Sequence, residues 1–187
     1  LPEDNAILVN YGLCNQGADI IKPRLNSEIP LGINIARTNT PMEKPEAIQD
    51  FTDGFNKLKN HGTYLTINIS CPNTFDDINF SDPKLLDSLL KNINKDITKP
   101  VFIKFKPDIT TQQVDNILKV STKYKFIKGF IIGNLTRDRT NLSKSKEELD
   151  KISPKGALSG KPTEKKSNKL ISYTYKKTKG KYIIIGC

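Results

Sequence analysis

Short β-branched runs alternate with amphipathic stretches along nearly the whole chain, and this alternation constrains the fold more than any other feature. Residues 31–36, 63–70, 100–105, 126–132 and 182–185 read as strands, the first from the alternation Leu31-Gly32-Ile33-Asn34-Ile35 after the break at Pro30. Between the strands, apolar residues recur at helical spacing: Ile48, Phe51, Phe55 and Leu58; then Leu85, Leu86, Leu89, Leu90 and Ile93; then Val114, Ile117, Leu118 and Val120. These predict helices over 45–60, 83–93 and 110–123, the second capped by Asp82 with Pro83 at its start. Another helix is expected from Thr163 to about residue 178. Residues 6–9 form a weaker strand, and a short helix over 18–25 is opposed in its second half by Pro23.

A strand-helix-strand order implies parallel pairing through crossover helices, because a tight turn cannot join parallel neighbours. A closed eight-stave barrel takes about 250 residues, and this chain has 187. An open nucleotide-binding sheet would carry a glycine fingerprint after its first strand, and neither GxGxxG nor a P-loop occurs. The expectation is therefore an α/β fold, a partial (β/α)8 TIM-type barrel with staves missing at both ends and residues 1–187 forming one domain. Residues 6–9 and 182–185 are expected to leave unpaired strand edges.

Composition narrows the function classes. Hydrophobic residues make up 36% and charged residues 27%, as in ordinary globular proteins. The formal charge of +10 comes from lysines spread over amphipathic segments, so they read as a solvated surface and nucleic acid is not expected as a partner. Cys14, Cys71 and Cys187 are far apart, with no metal-ligand spacing, which argues against a disulfide framework and a zinc site and fits a reducing compartment. Cys14 and Cys187 read as structural. No apolar run is long enough to span a membrane.

Candidate chemistry gathers where strands end. In Thr66-Ile67-Asn68-Ile69-Ser70-Cys71-Pro72-Asn73-Thr74 a buried strand runs into a loop, and Pro72, lacking an N–H, stops the ladder. The carboxyl end of a parallel sheet is where ligands bind, so Asn68, Ser70, Cys71 and Asn73 share one volume there. Cys71 is the only group among them able to act as base or nucleophile. Asn34 and Asn134 close other strands in the same way, and Lys104, inside an apolar strand, needs an anionic partner or a route to water. Residues 137–158 read as a polar loop or lid, and the small residues of 156–160 permit close backbone approach to a ligand. The sole histidine, His61, sits at a helix end as a cap.

Six segments, in order, resemble a known family: Leu1-Pro2-Glu3-Asp4 with Tyr11-Gly12-Leu13-Cys14-Asn15-Gln16-Gly17; Leu31-Gly32-Ile33-Asn34-Ile35; residues 67–74; Lys104-Phe105-Lys106-Pro107-Asp108; Asn134-Leu135-Thr136; and Leu158-Ser159-Gly160-Lys161-Pro162. Together they resemble the FMN-dependent dihydroorotate dehydrogenases. The flanking segments look like the membrane-associated, quinone-using class, whereas cysteine in the base position looks like the soluble class. The resemblance implies oxidation of dihydroorotate to orotate in pyrimidine biosynthesis, with Cys71 as the base and FMN as hydride acceptor. It implies substrate binding by Asn68, Asn73 and Asn134, and flavin binding by Asn34, Asn68, Lys104, Gly133 and Gly160. A quinone rather than fumarate or NAD is the implied electron acceptor. The implied location is cytoplasmic or peripheral on an inner membrane, with membrane contact only through an N-terminal segment outside these residues.

The sequence departs from the family pattern at Val9, where a substrate asparagine is displaced to Asn10, at Phe75-Asp76-Asp77, and at Gly133 and Leu135 beside Asn134. The family's early flavin loop would precede Leu1 and its phosphate-binding turn would follow Cys187, so the isolated chain is expected to be inactive. Two other readings stand beside this one: a non-catalytic remnant whose basic surface binds RNA or anionic lipid, and another FMN barrel oxidoreductase acting on a pyrimidine.

Overall fold

The computed structural model describes residues 1–25, 28–70, 78–93 and 96–187. Five strands, β2 (Gly32–Ile35), β3 (Tyr64–Asn68), β4 (Val101–Phe105), β5 (Ile127–Ile132) and β7 (Ile183–Gly186), form one parallel sheet in chain order. They are connected by α2 (Lys44–Leu58), α3 (Pro83–Ile93), α4 (Thr111–Ser121) and α6 (Lys161–Thr178). The sheet is open, with β2 and β7 at its edges. This matches the expected parallel α/β fold with crossover helices.

Local sequence explains the helix starts. Glu43 with Glu46, and Thr110 with Gln113, form reciprocal capping boxes at α2 and α4. Asp82 Oδ1 accepts from the N–H groups of Lys84 and Leu85 at α3. The short α1 (Ala18–Ile21) gives way to a 3-10 turn over Lys22–Arg24 with Pro23 inside it, as the ring requires.

Period-two alternation sorts the sheet into two unlike faces. On one, Ile33, Ile35, Leu65, Ile67, Val101, Ile103, Phe105, Phe130 and Ile132 join the helix residues Phe51, Phe55, Leu86, Leu89, Leu90 and Ile117 in a continuous core. Burying each such side chain contributes about 1.5–3 kcal/mol. The register places the other face in layers: Asn34 beside Thr66, Thr66 beside Phe102 and Phe102 beside Gly129, then Asn68 beside Lys104 and Lys104 beside Ile131. Glycine is required in the middle of this face, because a Cβ on Gly129 would meet the Ile183 carbonyl and the Phe102 ring. The polar pair Asn68 and Lys104 stands at its carboxyl end.

Two expectations are corrected. Residues 6–9 are neither a stave nor a free edge: β1 (Ala6–Val9) pairs antiparallel with β6 (Ala157–Gly160), outside the main sheet. The segment 137–158 is not a bare polar loop, since it contains α5 (Lys146–Ile152), whose Ser145 and Glu148 form another capping box, and it leads into β6. Arg139 explains its order. This side chain, only 8% exposed, pairs with Asp150 at 2.6 Å and donates to the carbonyls of Ser153 and Gly156 at 2.7 and 2.6 Å. Cys14 and Cys187, read as structural, are exposed, and the Cys14 thiol donates to the Tyr11 carbonyl at 3.0 Å.

Candidate functional site

The carboxyl ends of β3 and β5 are joined by a directional hydrogen-bond chain. Asn134 Nδ2 donates to Ser70 Oγ at 3.0 Å, and the Ser70 hydroxyl donates to Asn68 Oδ1. The same Asn68 oxygen accepts the Ser70 backbone N–H at 3.0 Å. A hydroxyl has one proton to give, so accepting from Asn134 and donating to Asn68 fixes its orientation. Asn68 is 6% exposed, which makes these bonds necessary rather than incidental. The Asn68 Nδ2 donor and the Asn134 Oδ1 acceptor have no hydrogen-bond partner among the described residues. Asn68 thereby also satisfies a backbone group at the strand end.

Lys104, half-buried and beside Asn68 in the register, forms no ion pair among the described residues. Asn34 is exposed on the neighbouring strand, one layer below. Gly133 continues β5, where its φ of 135° and the nearby Cys187 carbonyl both exclude a side chain. Gly160 has φ 84°, and a Cβ there would meet the Asn5 carbonyl. The close backbone approach at these two glycines is thus to the chain itself. Cys71 and Asn73, read as base and substrate contact, lie outside the described residues.

Behind Asn134 lies a second polar cluster to which the sequence reading assigned no role. Asp108 Oδ1 accepts from Thr136 Oγ1 at 2.6 Å and from Lys166 Nζ at 2.9 Å, while its Oδ2 accepts the Arg137 N–H at 2.8 Å. Lys166 also pairs with Asp138 at 3.0 Å. Burial alone would push the Asp108 carboxyl up, but Lys166, Thr136 and the Arg137 N–H outweigh it and hold it below the usual carboxylate range. Hydrogen bonds from Thr140, then Lys166, hold Asp138 at about 2. The available sequence signal was the Pro107-Asp108 step just past a strand, which carries no periodicity.

A five-stranded parallel sheet with crossover helices, its strand ends presenting amides and a lysine, has the architecture of part of a (β/α)-barrel. Two solved structures share that fold: ligand-free dihydroorotate dehydrogenase from Eimeria tenella, with TM-score 0.83 and 24% identity over 99% of this chain and 58% of that one, and the same organism's enzyme with ferulenol, with TM-score 0.82, 24% identity and coverage of 98% and 56%. The family model for dihydroorotate dehydrogenase matches residues 1–187, and the chain belongs to that family. Relatives named dihydroorotate dehydrogenase (quinone) include those of Rippkaea orientalis, 33% identical over 199 residues, and Christiangramia forsetii, 34% identical over 195. Both alignments cover all of this chain but 52% and 55% of the relatives, so the chain spans about half their length.

Proposed function

We propose that these residues supply the substrate-facing wall of a dihydroorotate dehydrogenase that oxidises dihydroorotate to orotate, with FMN as cofactor and a quinone as electron acceptor. The observation that carries this is the Asn134 to Ser70 to Asn68 chain beside Lys104. It offers a fixed donor and a fixed acceptor next to a cation, which suits a pyrimidine edge bearing a carboxylate.

The residues present fit FMN in part. Lys104 is a half-buried cation without a carboxylate partner among the described residues, and Asn68 keeps a free amide donor beside it. These two would hold the isoalloxazine, with Asn34 exposed on the next strand. Gly133 and Gly160 contribute backbone there only, since their missing side chains are already required by chain packing. FMN, when bound, supplies the hydride-accepting ring. The chain's own groups bind and orient substrate through Asn68, Asn134 and Asn73, while Cys71 takes a proton from the substrate carbon. A free thiol titrates at about 8.5, so a cysteine base is expected to give a pH optimum on the alkaline side.

The test is dihydroorotate-dependent quinone reduction by the longest polypeptide that carries these residues, compared with its Cys71→Ser variant. Turnover with bound flavin and a displaced pH profile is expected. Absence of both flavin and turnover overturns the reading, and unchanged kinetics removes Cys71 from the base role. The 187 residues alone are expected to be inactive, and near-stoichiometric flavin on them would overturn that.

A further inference from the structure

Asn134 sits on a span whose two ends are tied to one short piece of chain. Upstream, the Gly133 N–H donates to the Phe105 carbonyl at 3.3 Å. Downstream, the Thr136 hydroxyl and the Arg137 N–H are both received by Asp108, three residues after Phe105. Thr136 is held from the other side as well, exchanging backbone hydrogen bonds of 2.9 and 2.7 Å with Leu158. Residues 105–108 therefore grip the turn on both sides of the asparagine. The sequence alone gives Asp108 no reason to be more than a surface carboxylate after a proline.

From this geometry we infer that Asp108 is a positioning residue for substrate recognition: by holding Thr136 and the Arg137 N–H it fixes where Asn134 presents its amide to Ser70 and to the ligand. The carboxylate is suited to this because its two oxygens take three donors at once, which an amide of the same shape cannot do. Lys166 neutralises the charge and also donates to Thr136 Oγ1 at 3.3 Å, so it supports the same clamp. As a statement about substrate the inference rests on the proposed dihydroorotate reading; as a statement about Asn134 it stands on the contacts alone.

The test follows the Asn134 side-chain amide by NMR in asparagine-labelled protein, with orotate as the added ligand. In the unaltered chain the Nδ2 protons should exchange slowly because they bond Ser70. Asp108→Asn and Thr136→Val should each speed that exchange about tenfold or more, the effect of losing one charge-assisted bond, while the Asn34 amide stays unchanged. Thr136→Ser should restore protection, and Lys166→Met, which removes only a donor to the clamp, should speed the exchange less than Asp108→Asn does. Orotate affinity should fall about tenfold in Asp108→Asn. If Asp108→Asn does not fold, Thr136→Val and Thr136→Ser carry the comparison. An Asn134 amide indifferent to Asp108→Asn or Thr136→Val, with only the melting temperature lowered, overturns the inference. Failure of the longest polypeptide that carries these residues to bind orotate counts against the functional reading and leaves the amide result intact.

Discussion

Asn134 and Ser70 lie 64 positions apart, yet the amide of one donates to the hydroxyl of the other at 3.0 Å, bridging the ends of β5 and β3. The bridge ties two strands that are not neighbours in the sheet, since β4 runs between them.

Removing the bridging hydroxyl should be felt on both sides. Ser70→Ala strips a donor from Asn68 and an acceptor from Asn134, and Ser70 is fully buried at 0% exposure. We expect a loss of about 1–3 kcal/mol in urea unfolding, together with weaker orotate binding. Unaltered stability would mean that water replaces the hydroxyl.

Lys104 should show the opposite balance between stability and binding. A half-buried ammonium without an ion-pair partner among the described residues gains little from its position. In the longest polypeptide that carries these residues, Lys104→Met should leave unfolding free energy unchanged or raised by up to about 1 kcal/mol, while flavin affinity drops at least about tenfold. A stability loss without a change in flavin binding would make the lysine structural.

The acid limb of stability should report the Asp108, Asp138 and Lys166 cluster. Both carboxyls titrate lower when folded than unfolded, Asp138 at about 2 against its ordinary 3.8 and Asp108 below the same value. Groups lowered in this way stabilise fully above the ordinary value and lose that contribution as pH falls through the folded one. Unfolding midpoints should therefore drop between about pH 4 and 2, with a shallower drop in Lys166→Met. Parallel acid limbs for the two proteins would remove Lys166 from this linkage.

Gly133→Ala tests whether the strand end tolerates a side chain. With φ at 135° and the Cys187 carbonyl in the way, the variant should lose about 2 kcal/mol or more. Denaturant midpoints measure this directly, and a near-neutral result would mean that the β7 end shifts to make room.

What could be read in advance divides by the range of the interactions involved. The helices over Phe51 and Phe55, over Leu86 and Leu90, and over Val114 and Ile117 are written in local apolar spacing, and the structure places all six side chains in the core. Lys104 and Asn68 stood out because a polar residue interrupts a β-branched run. The pairing of β1 with β6 was not legible, since two four-residue segments far apart in sequence, one of them containing Ser159 and Gly160, carry no mark of their partner. Neither was the Asp108 cluster, where charges from three separate elements meet. The helix at Lys146–Ile152 was the avoidable miss, because Ser145 and Glu148 stand at capping-box spacing in plain sequence.

The union of β1 with β6 also sets an order of events. Neighbours β2 to β5 join through a single intervening helix each, so their contacts close short loops and form early. Bringing residues 6–9 to residues 157–160 closes most of the polypeptide into one loop, an entropic demand met only once the sheet already holds the ends near each other. Asn68, Lys104 and Asn134 should then be in place before the chain is latched. A refolding experiment should see the amide bridge appear ahead of protection at Leu8 and Leu158.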